Sequence, residues 1–531
     1  MNSGLAMGYR SMIASPHRLA SAAGSAVMAR GGNAFDAAVA ISATLGVVYP
    51  HMTGIGGDAF FLLRDGRTGE VRGLNGSGRS AAACTPALYT GCGLDAIPQR
   101  GVGSAITVPG MVDAWWEVSQ RYGRLPWDEL LEEAIGYAER GFPVSPGLRH
   151  WIVKDEPLLR NDAGLSRTYL PGGAVPDIGA RLTHPELAAT MRGIAAGGRD
   201  HFYNGALARE LATAIARDGG VLTMDDLAAH RAEWVTPLRT TYRGYDVLQM
   251  PPNSQGFSLL LMLNMLERVE LGAMHRESAE FFHLMAEVVK AAFRDRDRYL
   301  TDPDFADIPL ERLLSKPYAA ELYAAIEAAG AAASPLASPP IGQDTAYAAV
   351  VDEEGNCVSF IQSLYFDFGA GYTAGDTGVL LQNRGSFFAL DPRQPNVLAP
   401  RKRSFHTLMP GMVLRGGRPH ALLGTQGGEG QPQTSLSVLT GLLDFGCDAE
   451  QALALPRWIY GRTWGEASDA LRIEDRGYGE QARQLRAMGH KVELLSPWDL
   501  GTGTAQAITI GADGLLGGAA DPRGDGMAIG R

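Results

Sequence analysis

The sequence predicts an α+β protein whose sheets are covered by helices on their outer faces. Three observations carry that expectation. Residues 110–330 are dominated by amphipathic helical periods, and beyond residue 344 the chain turns to alternating strand patterns. A chain of 531 residues with 45% hydrophobic and 20% charged side chains is also large enough to bury more than one simple core.

The elements follow in order. HRLASAAGSAVMARGGNAFDAAVAISATLGVVYPH reads as two helices packed on small residues: Gly31 and Gly32 stop the first, Asn33 caps the second and Pro50 ends it. A Gly-rich loop and a hairpin turning at Asp65-Gly66 come next. MVDAWWEVSQRYG, PWDELLEEAIGYAERG and FFHLMAEVVKAAFRDRDRYL are the clearest helices, and TTYRGYDVLQMPPNSQG interrupts them as strand and loop. An Ala/Ser/Pro linker over 328–344 precedes TAYAAVVDEEGNCVSFIQS, a hairpin that begins at Thr345 and turns at Glu354-Gly355-Asn356. Strands return in GMVLRGG, PHALLGT and AQAITIGADGLLGGA, and helices in QTSLSVLTGLLDFG and YGEQARQLRAMG.

Composition excludes several classes of function. The net charge of -11, from 58 acidic against 47 basic residues, disfavours nucleic acid and acidic membrane surfaces as partners. No run of about 18 apolar residues and no secretory leader pattern is visible, so a cytoplasmic protein is expected. The four cysteines are scattered and read as reduced thiols, and the eleven histidines offer neither HExxH nor zinc-ligand spacing, so no metal is expected. There is no GxxxxGK[ST] and no GxSxG.

The junction of Asp344 and Thr345 is where chemistry enters. A threonine hydroxyl becomes a useful nucleophile when a base takes its proton, and a free α-amino group on the same residue is one such base. That requires a cut before the threonine, and a linker gives the freedom for it. On its own, a threonine opening a strand is also what β-branched preference produces.

Several ordered stretches add to this. They include SPHRLASAAGSAVMARGGNAFDAAVAISATLGVVYPHMTGIGGDAFFL, TVPGMVDAWWEVSQRYGRLPWDELLEEAI, DTAYAAVVDEEGNCVSFIQS, FGAGYTAGDTGVLLQN, GTQGGEGQPQT and GTAQAITIGADGLLGGAADPRGDG. In these the chain resembles the γ-glutamyltransferase family of N-terminal-nucleophile hydrolases over nearly its whole length. The resemblance implies a four-layer αββα sandwich and autocatalytic cleavage between Asp344 and Thr345. Residues 1–344 and 345–531 would then form two non-covalently joined pieces of one intertwined domain, with a homo-oligomer of that pair possible. It also implies Thr345 as nucleophile, Ser363 as the hydroxyl beside it, Gly427 and Gly428 as the oxyanion-stabilising pair, and no cofactor.

Substrate recognition departs from the family. Where the γ-glutamyl enzymes carry an Arg in D-[FY]-R-E-x-A-P, this chain has LNGSGRSAAA, with Ser77 on the Arg position and Arg79 two residues later. QNRGSFFAL puts Phe387 where the Asp for an α-amino group is expected, and His406-Thr407 replaces a Ser-Ser pair. Losing that carboxylate removes a charge-assisted hydrogen bond worth about 1.5 to 3 kcal/mol to an α-amino donor. Arg79, Arg384 and His406, with Thr407 and Tyr365 beside them, are expected to converge as a cationic set without an acidic neighbour from these motifs, suited to a small anionic acyl group. YPHMTGIGGD, NGSGRS, IPQRGVGSAITVPGM and RSFHTLMP look like the oxamate amidohydrolase branch of the family. Oxamate offers a carboxylate for an Arg beside the scissile amide and no α-amino group. A γ-glutamyl hydrolase or transferase with relocated contacts, an acylase of larger amides, and an uncut binding protein remain as alternatives.

Overall fold

The computed structural model describes residues 4–329, 344–461 and 468–531. Helix Arg18–Ala29 starts where the His17 ring accepts the Leu19 amide and gives way before Gly31, whose φ of 98° suits glycine. Asn33 and Asp36 close a capping box on helix Ala34–Val48, all of whose residues are buried. The two helices approach so closely that a Cβ on Gly24 would lie 2.6 Å from the Ile41 side chain, which is why small residues line this pair.

Two seven-stranded antiparallel sheets form the centre. One runs, in spatial order, Met527–Gly530, Met12–Ser15, Asp344–Val351, Cys357–Tyr365, Asp58–Arg64, Val71–Gly76 and Glu233–Val235. The other runs Ala6–Gly8, Leu516–Ala520, Ala505–Ile510, Arg418–Thr425, Gly411–Arg415, Tyr245–Gln249 and Leu238–Tyr242. Each sheet takes strands from before and after residue 344.

Strand alternation divides the side chains among three apolar clusters. Tyr347, Ala349, Val351, Phe60 and Ile361 of the first sheet meet Met412, Leu422 and Ile508 of the second. Ala346, Ala348 and Val350, on the opposite face, pack with Val39 and Trp115 of the N-terminal helices. Val413, Leu423 and Ala507 pack with Leu260, Val289 and Leu439, from helices Gly256–Leu266, Ala279–Tyr299 and Gln431–Leu443. Ser359 crosses the gap between the sheets: its Oγ donates to the Gly411 carbonyl at 2.9 Å and lies 2.8 Å from the Tyr347 hydroxyl.

Most periodic segments fold as expected. TTYRGYDVLQMPPNSQG gives two strands and not one, because Arg243 and Gly244 adopt positive φ (52° and 80°) and make a tight hairpin turn. The linker expected over 328–344 lies mostly outside the described residues. Of its ends, 328 and 329 close helix Lys316–Ala329 and Asp344 opens its strand. A small mixed sheet of Trp458–Tyr460, Leu471–Glu474 and Val492–Leu495 was not legible, its strands being too short to show a period. Among the described residues, no helix is long and apolar enough to cross a membrane.

Candidate active site

The site is built where the gap between the sheets ends. The strand containing Thr345 pairs Asp344 with Tyr365 and Ala346 with Gln362, so a bulge sets Thr345 against two residues, Ser363 and Leu364. Alternation gives Thr345 the face of Tyr347, toward the second sheet, and it is 1% exposed. The strand runs unbroken through Asp344 and Thr345, so the Thr345 nitrogen is here a peptide amide. Ser363 pairs with Asp58 on the next strand, and its hydroxyl accepts the Tyr365 amide at 2.7 Å.

From the other sheet, strand Arg418–Thr425 ends in Gln426, Gly427 and Gly428. The two glycines have φ of 127° and 50°, conformations open chiefly to glycine. Among the described residues, neither glycine's N–H enters a backbone hydrogen bond. The loop is held by the buried Gln255, whose Nε2 donates to the carbonyls of Gly428 and Thr407, both at 2.9 Å. Gln255 Oε1 in turn accepts from Arg296 Nη1 at 3.2 Å, and Arg296 pairs with Glu429 at 3.1 Å.

Arg384 closes the arrangement. It opens the short helix Arg384–Phe387, is 1% exposed, and stacks its guanidinium 4.0 Å from the centre of the Tyr365 ring. Nη1 reaches the Thr407 hydroxyl at 3.5 Å, while Nε and Nη2 are buried without a hydrogen-bond partner among the described residues. Burial lowers its pKa to about 10, which still leaves the group charged near neutral pH. A buried guanidinium with unused donors is a costly arrangement unless an anion completes it. Phe387, half-buried, packs between Tyr365 and Phe405 at 5.5 and 4.7 Å.

Residues 20–531 match the model of the gamma-glutamyltranspeptidase family. The chain belongs to this family. It is 51% identical over 524 residues to the glutathione hydrolase-like YwrD proenzyme of Bacillus subtilis, covering 99% of both chains. It is 39% identical to the oxamate amidohydrolase proenzyme of Klebsiella pneumoniae, covering 98% of both. Its structure resembles the cephalosporin acylase of Bacillus halodurans with a TM-score of 0.91 at 35% identity, covering 99% of this chain and 97% of that one. The gamma-glutamyltranspeptidase family is one of N-terminal-nucleophile hydrolases, and this member is an amidohydrolase.

Within this family member, two expectations about the cationic set are corrected. Arg79 does not join Arg384: its guanidinium is held by Asp302 at 3.0 Å, Asp304 at 2.6 Å and Glu233 at 3.4 Å, so its charge is already balanced. His406 is neutral, because burial, followed by the charge of Arg384, holds its pKa well below 6.5. Its Nδ1 accepts the Leu408 amide at 3.4 Å, which leaves Nε2 to donate to Asp58 Oδ2 at 3.1 Å.

Asp58 is thus the acidic neighbour that the motifs lacked. Its Oδ1 accepts from Gly78 N, Gly110 N and Gln382 Nε2 at 3.1, 3.2 and 3.0 Å. Burial pushes its carboxyl up to about 7, opposed by Arg384 and these donors. Both oxygens accept hydrogen bonds and the side chain is fully buried. Its sequence signal was an acid inside the apolar, Gly-rich GIGGDAFF; Gln255 and Arg296 carried none. Among the described residues, this site gathers no set of three metal-ligating side chains.

Proposed function

We propose that the protein cuts itself between Asp344 and Thr345 and then uses Thr345 to hydrolyse a small anionic amide such as oxamate to oxalate and ammonia. The two pieces would stay together as one four-layer αββα sandwich, since both sheets draw strands from each. The observation that carries the substrate reading is Arg384, buried beside Tyr365 and Thr407 with two nitrogens unpartnered among the described residues.

In this reading the new α-amino group of Thr345 takes the proton from its own Oγ, which attacks the amide carbon. The N–H groups of Gly427 and Gly428 receive the developing oxyanion, while Arg384 binds the carboxylate next to the scissile bond. The ammonium formed on Thr345 returns its proton to the leaving nitrogen, ammonia departs, and an oxalyl ester remains. Water activated by the same amine then releases oxalate and restores the hydroxyl. A second reading, a γ-glutamyl hydrolase, is favoured by the 51% identity to a glutathione hydrolase-like proenzyme.

Intact mass of wild type beside Thr345→Ala tests the cut, with fragments dividing at 344/345 expected only in wild type. Steady-state turnover of oxamate against a γ-glutamyl anilide tests the substrate. Preference for the anilide would overturn the first reading in favour of the second.

A further inference from the structure

Sequence spacing offers no zinc motif, yet folding brings three ligand-type side chains together away from Thr345. His283 and Glu287 are one turn apart on helix Ala279–Tyr299. They lie toward its start, with His283 about 20 Å along the helix from Arg296. His490, in the turn between helix Gly479–Ala487 and strand Val492–Leu495, places its Nε2 2.8 Å from His283 Nδ1 and 3.9 Å from Glu287 Oε1. One ligand atom from each residue lies within 4.8 Å of the others. Glu287 and His490 are buried and His283 is half-buried.

We propose that His283 Nδ1, His490 Nε2 and the Glu287 carboxylate bind a divalent transition metal of the zinc class, joining this helix to the turn before Val492. Two imidazoles and a carboxylate are a zinc donor set that leaves a further position for water. The facing ring nitrogens share one proton as a hydrogen bond; on metal binding the donor ring takes its other tautomer, moving that proton to its far nitrogen, so that both facing nitrogens offer lone pairs to the metal. Zinc–nitrogen bonds of about 2.0–2.1 Å in tetrahedral geometry set the two nitrogens about 3.3 Å apart. A small rotation of the half-buried His283 supplies the difference. Lys290, whose Nζ is 2.7 Å from Glu287 Oε1, competes for the carboxylate with one charge against two. His283 and Glu287 precede residue 344 and His490 follows it. If the chain is cut there as proposed above, the metal also bridges the two pieces.

The test is zinc binding by the full-length protein, stripped with a chelator and titrated with zinc chloride. Calorimetry gives the affinity and elemental analysis the metal content, with the visible spectrum of the cobalt-substituted protein as a second readout. One zinc per chain is expected, weakened about tenfold or more in His283→Ala and His490→Ala, with a cobalt spectrum typical of a four-coordinate site. Should an alanine variant fail to fold by circular dichroism, His283→Gln and His490→Gln keep hydrogen-bonding groups in place and are expected to show the same loss. Absence of zinc binding in wild type, or equal binding by the variants, would overturn the proposal and leave the three residues as a hydrogen-bonded cluster with Lys290.

Discussion

The Arg384 guanidinium lies 4.0 Å from the centre of the Tyr365 ring, and Tyr365 is held at a φ of 87°. That backbone conformation is uncommon for a residue with a side chain and costs on the order of 1–3 kcal/mol. The fold retains it at the end of a strand whose neighbour begins with Asp344 and Thr345, so the strained residue both flanks the proposed cut and supports the buried cation.

Replacing Arg384 with Met keeps an unbranched apolar stem and removes the charge. Self-cleavage should persist, while kcat/KM for oxamate falls about 100-fold or more, the worth of two charge-assisted hydrogen bonds. Steady-state kinetics on the cut variant check this, and unchanged turnover would move the carboxylate site elsewhere.

Gly427→Ala probes the proposed oxyanion loop. An added Cβ meets nothing closer than Gly503 Cα at 3.8 Å, so space is available, but the φ of 127° is foreign to alanine. The loop should shift to relieve that strain, misaligning the donors. A fall in kcat of about 100-fold or more with KM little changed is expected, measured on cut protein.

The helices and the longer strands were legible because their apolar periods are local. Helix Ala34–Val48 shows its cap at Asn33, and the hairpin after Thr345 shows its turn at Gly355, which has a φ of 77°. The motifs RSFHTLMP and GTQGGEG also marked two loops that folding joins, since Gln255 bridges the Thr407 and Gly428 carbonyls. What could not be read was charge balance across long sequence separations. Arg79 looked available because Asp302 and Asp304 are more than 200 positions away, and His406 looked cationic because neither its burial nor Asp58 is visible from RSFHTLMP. The partners of Gln255 and Arg296, among them the Gly428 and Thr407 carbonyls and the Glu429 carboxylate, are delivered by folding.

Asp58 gives a pH signature. Its folded pKa of about 7 stands above the ordinary 3.8, so between those values the folded state holds a proton that the unfolded state has released. Stability from this group is therefore complete at low pH and is lost as pH rises from about 4 to 7. His406, with its pKa depressed by burial, contributes the opposite slope below 6.5. Asp58→Asn removes the first contribution, so the stability of the variant relative to wild type should increase with pH across this window. Urea denaturation at several pH values from 4 to 8 measures it, and a flat difference would show that Asp58 is ionised throughout.

Gln255→Leu separates positioning from chemistry. The amide of Gln255 touches neither Thr345 nor Arg384 in any hydrogen bond found among the described residues, yet it joins the Gly428 carbonyl to the Thr407 carbonyl. It thereby couples the Gly427-Gly428 loop to the residue that contacts Arg384. Leucine leaves both carbonyls, and the Arg296 nitrogen that Gln255 accepted from, without that partner. The variant should lose about 2–5 kcal/mol of stability. In the proposed reading the substrate carboxylate is bound by Arg384, which should stay stacked on Tyr365. KM for oxamate should accordingly change little while kcat falls as the Gly427 and Gly428 donors drift from the carboxylate-binding side. Equal losses in kcat/KM and in affinity for a non-hydrolysable oxamate analogue would show instead that Gln255 holds the Arg384 pocket itself.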